Sequence, residues 1–337
     1  MEKIKIGIIG LGMGFDRLHL PALKRLTDKY EIVSICDVDK ERLDLYKVEL
    51  NIEDKLAYSD YNEMLKNKDI EAVLTIVPIE ENFETAKAVI STGKHLLAEK
   101  PFAKSVESAK ILLTLAERQK IKVLVAENFR YHEELKIIKK IIDDKTIGEP
   151  VYFIDNNIYD FNEDKKKDTF SSRDWRQHPS FIGGTFLDAG VHHIAKYRYL
   201  FGNVDKLCAF GQKLDNLDTA EFSSINALLK FSNKVTGHYS FYNIGKETQA
   251  PLVGFRIFFT EGEIYLEDKN CGFINLTYKD NRHELISYKT GEGYYNEWLN
   301  LYEAIKEDKK IESTMEKEIG DMVVLFEILE SMENNAK

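Results

Sequence analysis

The sequence predicts an α/β chain in two parts: a doubly wound parallel sheet with helices at the N-terminus, then an α+β domain carrying a large, mainly antiparallel sheet. Three observations predict it. The stretch KIKIGIIGLGMGFDRLHLP, from Lys3 to Pro21, reads as a buried strand, a glycine turn and the start of a helix. Strand-like and helix-like segments then continue to alternate through the first half. After the break at Gly148-Glu149-Pro150, β-branched and aromatic strands follow one another mostly without helices between them. We set the boundary after residue 127, giving domains 1–127 and 128–337.

The opening strand alternates and then runs apolar through Ile4, Ile6, Ile8 and Ile9, as a strand covered on both faces does, and ends at Gly10-Leu11-Gly12-Met13-Gly14. Such a turn lets the backbone take positive φ and approach a ligand closely. The unpaired N–H groups and dipole of the following helix favour a pyrophosphate. Dinucleotide binding through Gly10, Gly12, Met13 and Gly14 on a Rossmann-type sheet is the expectation. The third fingerprint position holds Phe15 where a small residue is usual, and Gly14 sits one place early. The same glycines would also serve a tight strand-to-helix turn with no ligand.

Size and charge bound the remaining choices. At 337 residues and 43% hydrophobic content the chain can bury a large core and exceeds the usual single domain. A net charge of -10, with no basic face to offset it, argues against a nucleic-acid partner. The run Lys165-Lys166-Lys167 is flanked by acids and reads as a solvated loop. Cys36, Cys208 and Cys271 are far apart and form no CxxC pair, which fits a reducing compartment and neither a disulfide frame nor a zinc site. No apolar run is long enough to span a membrane and no leader pattern precedes Ile4, so a soluble, cytoplasmic protein is expected.

Taken in order, a helix is expected from about Asp16 to Thr27, followed by the strand EIVSICD, residues 31–37. Asp37 closes that second strand, where a carboxylate can accept the ribose hydroxyls of NAD and repel the extra phosphate of NADP. It would equally start the next turn together with Asp39. Helices are expected from about Lys40 to Leu50 and near Tyr61 to Lys66, then the apolar strand AVLTIVP, stopped by Pro78 at an end that would face a ligand crevice. The helix from about Glu81 to Thr92 closes at Gly93, and the strand His95 to Ala98 delivers Glu99, Lys100 and Pro101 to the same carboxyl edge. A lysine partly buried there could be held against Glu99 or a substrate oxygen and take part in proton transfer; a plain surface lysine in a loop is the alternative.

These residues together resemble the Gfo/Idh/MocA oxidoreductases. The resemblance is carried by the glycine turn followed by His19-Leu20-Pro21-Ala22-Leu23, by Asp37, by GKHLLAEKP from Gly93 to Pro101, and by Asn128-Phe129-Arg130. It implies an NAD-dependent enzyme, with NADP open, acting on sugars or cyclitols. Lys100 would stand beside the nicotinamide and the substrate hydroxyl, Glu99 and Asn128 would help hold the cofactor, and Asp37 would contact the adenosine ribose. Besides Phe15, Asn82 departs from the family, which often has a histidine there.

The second half reads as a helix from about Glu133 to Asp143 and then the strands VYFIDNNIYD, LCAFGQ, SSINALLKF, KVTGHYSFY, GFRIFFT, GEIYLE and FINLTY. The tail from Tyr294 to about Met332 reads as two amphipathic helices, the first with Trp298, Leu301, Tyr302 and Ile305 on one face. Between the strands, Trp175 and Arg176 lie in a loop, Gly183-Gly184 breaks the chain, and a helix is expected from about Phe186. Asp188 and His192 are four apart on that helix, so a carboxylate below the imidazole could fix its tautomer and raise its basicity. Thr185 and Asp188 alternatively make a capping box, and His178, His192 and His193 are a weaker metal alternative. The resemblance favours catalysis by Lys100, His192 and Asp188 without a metal, with Arg130, Trp175, Arg176 and His193 on the substrate side. It also implies a homodimer or homotetramer through the second sheet. A cofactor-binding regulator without chemistry, and a lyase or glycosidase that uses NAD only transiently, are the alternatives to net hydride transfer.

Overall fold

The computed structural model describes residues 2–159, 168–213, 222–242 and 254–335. The lysine run at 165–167 lies outside them. The chain divides into two compact units, Met1–Asn128 with Gly293–Gly320, and Phe129–Glu292 with Asp321–Lys337.

The first unit is built on six parallel strands, β1 (Ile4–Ile9), β2 (Tyr30–Cys36), β3 (Ala57–Tyr58), β4 (Ala72–Thr75), β5 (His95–Glu99) and β6 (Val123–Ala126), in the order β3-β2-β1-β4-β5-β6. Each neighbouring pair is parallel. The chain leaves β1 for β2 on one side while β4 pairs on the other, so the strand order reverses at the carboxyl end of β1, the place where such sheets receive ligands. All four residues of β4 and of β6 are buried, which is why these runs are apolar without alternation.

The helix expected after the glycine turn is present in two parts, a π-helical turn Phe15–His19 and an α-helix Leu20–Arg25. Pro21, with no N–H to donate, sits where they join, and the Leu20 N–H bonds to the Phe15 carbonyl. Asp39 caps the helix Lys40–Glu49 by accepting from the Glu41 N–H at 3.0 Å. Helices Ile79–Ser91 and Val106–Gln119 cover the sheet through Ile79, Ala86, Val89 and Ile90, and through Ala109, Leu112 and Ala116.

The amphipathic helix Gly293–Lys306 belongs to this first unit, although the sequence placed the whole tail in the second domain. Its apolar face lies against β2: the Tyr30 hydroxyl donates to the Trp298 carbonyl at 2.7 Å, and the Tyr30 ring meets Trp298 and Tyr302 edge-on at 5.0 and 5.9 Å. Trp298 and Leu301 are fully buried. Farther on, the Ser313 carbonyl accepts the Val125 N–H of β6 at 3.1 Å.

The second unit carries eight strands, β7 (Pro150–Ile158), β8 (Val204–Gln212), β9 (Ser224–Phe231), β10 (Thr236–Tyr242), β11 (Gly254–Phe259), β12 (Gly262–Leu266), β13 (Phe273–Tyr278) and β14 (His283–Ser287), in the order β14-β13-β12-β11-β7-β10-β9-β8. All pairs are antiparallel except β7 with β10. Helices Glu133–Asp143 and Val191–Phe201 belong to the same unit. The inner face of the sheet is fully buried at Phe153, Ala227, Tyr239, Phe241 and Ile257, and Phe153 stacks on Tyr197 and Phe201 at 4.7 and 5.1 Å. The opposite face shows Tyr152, Phe210, Leu228, Phe273 and Leu285 to solvent. Gly237 on β10 lies under Phe153 so closely that a Cβ would overlap the ring. Because that ring is held on both sides, Gly237→Ala is expected to destabilise the protein by about 1–3 kcal/mol in chemical denaturation.

Candidate active site

In the first unit the expected cofactor residues gather along one carboxyl edge. Gly10 follows β1 with φ +97°, donates its N–H to the Cys36 carbonyl at 2.9 Å, and stands so near the Ile76 carbonyl that no side chain fits. The close helix-to-strand approach that the fingerprint gives its third small residue falls one position early: a Cβ on Gly14 would come within 2.5 Å of Ile76. Phe15 is thereby relieved of that duty and is buried edge-on against Tyr46 at 5.2 Å. A backbone so bared at Gly10 and Gly12, opening a helix, has the form that a pyrophosphate requires. Met13 is half-buried beside it.

Asp37 is buried at the end of β2 and turns back on the glycine turn. Its Oδ2 accepts the Leu11 N–H at 2.6 Å and its Oδ1 accepts the Asp39 N–H at 2.8 Å. It therefore makes the turn that was its structural alternative, and each oxygen keeps a further lone pair for a donor such as a ribose hydroxyl. Arg42, which the sequence reading did not single out, reaches Gly12: an atom at the Gly12 Cβ position would lie 3.7 Å from Nη1. Pro78 is the exposed residue before helix Ile79–Ser91. Asn82, the departure from the family pattern, is buried in that helix and donates its amide to the Pro101 carbonyl at 2.7 Å, tying the loop after β5 to the helix.

Lys100 is half-buried just beyond β5 and is joined to Pro101 by a cis peptide bond. Its backbone N–H bonds to Glu99 Oε2 at 3.1 Å. Glu99 Oε1 accepts from Nε2 of His19, a fully buried residue, at 2.8 Å, and His19 Nδ1 receives the Trp298 indole N–H at 3.1 Å. This run of hydrogen bonds is not readable locally, because a histidine and a tryptophan 279 residues apart (298 − 19 = 279) form no local pattern. Asn128 closes the unit, buried, at the start of the 3-10 turn Asn128–Tyr131.

The second unit holds the remaining expected residues. Trp175 and Arg176 lie on the short helix Asp174–Gln177. The Arg176 guanidinium sits 4.0 Å over the Trp175 ring and donates from Nε to Asp188 Oδ2 at 2.6 Å and from Nη2 to Oδ1 at 3.4 Å. Asp188 is on a π-helical turn, Phe186–Gly190, that leads into helix Val191–Phe201 after Gly183 and Gly184, both at positive φ. Thr185 makes no side-chain cap bond, so the capping-box alternative is not formed.

His192 stacks flat on Phe129, with centroids 4.6 Å apart and planes at 11°, and Lys269 lies 5.0 Å over the same ring. His193 points into the core: its Nε2 and Nδ1 meet the hydroxyls of Tyr159 and Tyr239 at 3.2 and 3.0 Å. Burial, with Lys196 and His192 nearby, holds its imidazole well below the usual range, hence neutral. Arg130 is buried as well, paired with Asp321, which also binds Arg198. Both residues are thus committed to the packing of this unit. Among the described residues no three His, Cys, Asp or Glu side chains gather as a metal site would, and no helix is long and apolar enough to cross a membrane.

A parallel sheet of this order, with a bared glycine turn at its switch point and a second unit of mixed sheet, defines an oxidoreductase of the nicotinamide-dinucleotide class. Residues 4–127 match the description "Oxidoreductase family, NAD-binding Rossmann fold", and residues 135–265 match the Gfo/Idh/MocA C-terminal domain. The chain belongs to the Gfo/Idh/MocA family, and both its fold and its standing as an oxidoreductase follow that membership. Over 323 residues it is 27% identical to an uncharacterized protein of Saccharomyces cerevisiae, covering 92% of this chain and 90% of that one. It is 28% identical to the scyllo-inositol 2-dehydrogenase (NADP(+)) of Bacillus subtilis, over 60% of this chain but only 53% of that enzyme. A solved oxidoreductase from Thermotoga maritima superposes with a TM-score of 0.87 at 25% identity, covering 98% of this chain and 97% of that one.

Proposed function

We propose that the protein is an NAD(H)-preferring dehydrogenase or reductase that works on a secondary alcohol or ketone of a sugar, cyclitol or related polyhydroxylated molecule. The observation that carries the reading is the bared Gly10 turn, tied through Leu11 to the Asp37 carboxylate on the same strand edge as Lys100. Relatives named as a myo-inositol 2-dehydrogenase, 25% identical over 69% of this chain, and a D-apiose dehydrogenase, 27% identical over 66%, support the substrate class.

In this reading the turn N–H groups receive the pyrophosphate, Asp37 accepts ribose hydroxyls, and Glu99 and Asn128 line the cofactor's reactive end. A bound nicotinamide supplies the hydride acceptor or donor. The Lys100 ammonium polarises the substrate oxygen, and His192, flat on Phe129, takes up the hydroxyl proton as the carbon is oxidised. Asp188, anchored by Arg176, presents a fixed carboxylate one helical turn before His192, while Trp175 and Arg176 offer a ring face and donors to hydroxyl groups. Lys100→Met is expected to cut turnover by roughly two to four orders of magnitude in a coupled NADH assay across sugars and inositols; unchanged turnover would refute its role.

Arg42 beside Gly12 favours a second reading for the cofactor, because a guanidinium there can accept a 2′-phosphate. We expect the Asp37 carboxylate to prevail and NADH to bind about tenfold or more tighter than NADPH by fluorescence titration. The reverse order, lost in Arg42→Gln, would establish the NADP reading.

The exposed face of the second sheet, with Leu228 62%, Phe210 59% and Leu285 66% accessible, supports pairing with a second copy. Light scattering is expected to give a dimer or tetramer, and a stable monomer at micromolar concentration would count against it.

A further inference from the structure

Glu297 stands just past the first turn of helix Gly293–Lys306, fully buried, and the steps proposed above make no use of it. Neither carboxyl oxygen has a hydrogen-bond partner among the described residues. Among the described residues the basic nitrogen within 4 Å is His19 Nδ1, 3.8 Å from Oε1, outside hydrogen-bond reach. That nitrogen is already taken by the Trp298 indole N–H at 3.1 Å. An indole N–H only donates, so Nδ1 carries no proton and the single imidazole proton is on Nε2, donated to Glu99 at 2.8 Å. His19 is therefore neutral and gives Glu297 no counter-ion.

Other titratable groups around this space, among the described residues, include Glu99 at the end of β5, with the backbone of Lys100 on its Oε2, Glu127 after β6, fully buried, Tyr294, whose ring meets His19 edge-on at 5.2 Å, and Tyr30 on β2, whose hydroxyl is spent on the Trp298 carbonyl. An ionised Glu297 would meet two neighbouring carboxyl groups in a buried place, and among the described residues no Lys or Arg lies within ion-pair distance of it. Burial first, then Glu99 and Glu127, push its carboxyl well above the ordinary range.

We propose that Glu297 is a positioning residue kept as an uncharged acid: while neutral it leaves His19 in the Nε2–H form, and His19 in turn fixes the Glu99–Lys100 corner. Ionised, it would set a negative charge 3.8 Å from the lone pair of His19 Nδ1 and loosen the Trp298–His19–Glu99 chain. The inference rests on the reading of Lys100 as part of the cofactor site, but its consequences for stability do not.

The test compares full-length wild type with Glu297→Gln, a neutral isostere, by thermal unfolding from pH 5 to 9. A folded pKa above the unfolded one means that the stability due to Glu297 is complete below about pH 4.3 and is lost as pH rises toward and through the folded pKa. Glutamine suffers no such loss, so the Tm of Glu297→Gln should gain on wild type by about 2–4 °C per pH unit until the folded pKa is reached. Parallel curves, or a variant that falls behind as pH rises, would overturn the proposal. Histidine-selective 15N NMR of wild type, independent of any variant, should show His19 neutral and Nε2-protonated at pH 7; an imidazolium overturns it. NADH affinity should fall at alkaline pH in wild type along a limb that is displaced in Glu297→Gln, and superimposable profiles would remove the positioning role. Failure to bind either dinucleotide at any pH would strike the cofactor reading, whereas the unfolding curves and the His19 signal judge Glu297 separately.

Discussion

The hydrogen bond from the Leu11 N–H to the Asp37 carboxylate, at 2.6 Å, is the constraint on which the first unit's ligand edge depends. It fastens the turn after β1 to the end of β2, so that the backbone at Gly10 and Gly12 is presented in one shape before anything binds. A charge-assisted bond in a buried place is short and strong, and its partner cannot be exchanged for a neutral side chain without leaving an orphaned amide. Ile76 closes the turn from the β4 side: its carbonyl is why Gly10 must be glycine, and its side-chain tip crowds Gly14. Three strands thus converge on one loop through backbone contacts, and the loop has little freedom left to lose on meeting a cofactor.

The same economy governs the end of β5. Glu99 is not simply a neighbour of Lys100 in sequence: its two oxygens hold the Lys100 N–H and the His19 imidazole, and His19 is itself oriented by Trp298 from a helix far along the chain. In the second unit Asp188 is oriented by Arg176, which lies over Trp175. Glu99 and Asp188 are each held by a partner whose geometry is fixed by packing.

Much of this was legible in the sequence, and the parts that were not share a cause. Alternation and apolar runs give strands and faces directly, so β1, β4, β5 and most of the second sheet were readable, and the spacing from Gly10 to Asp37 marked the ligand edge. What a face packs against is not local information. The apolar stripe of Trp298, Leu301 and Tyr302 was plain, yet nothing in it says that it covers β2 of the first unit. Polarity is equally silent about partners: His193 meets Tyr159 and Tyr239, and Arg130 pairs with Asp321, inside the second unit. The parallel pairing of β7 with β10 in a sheet expected to be largely antiparallel was equally invisible, because it depends on the path of the intervening chain.

The return of Gly293–Gly320 to the first unit bears on how the protein is made. Residues 129–292 are translated before that helix exists, which at about 5–20 residues per second is on the order of ten seconds or more. Throughout that interval the nascent first unit has β2 and His19 synthesised but lacks the tryptophan that covers one and orients the other. Its completion on the ribosome therefore waits for residues 293–320, and release of a chain cut short before residue 293 would leave an aromatic surface for chaperones to shield.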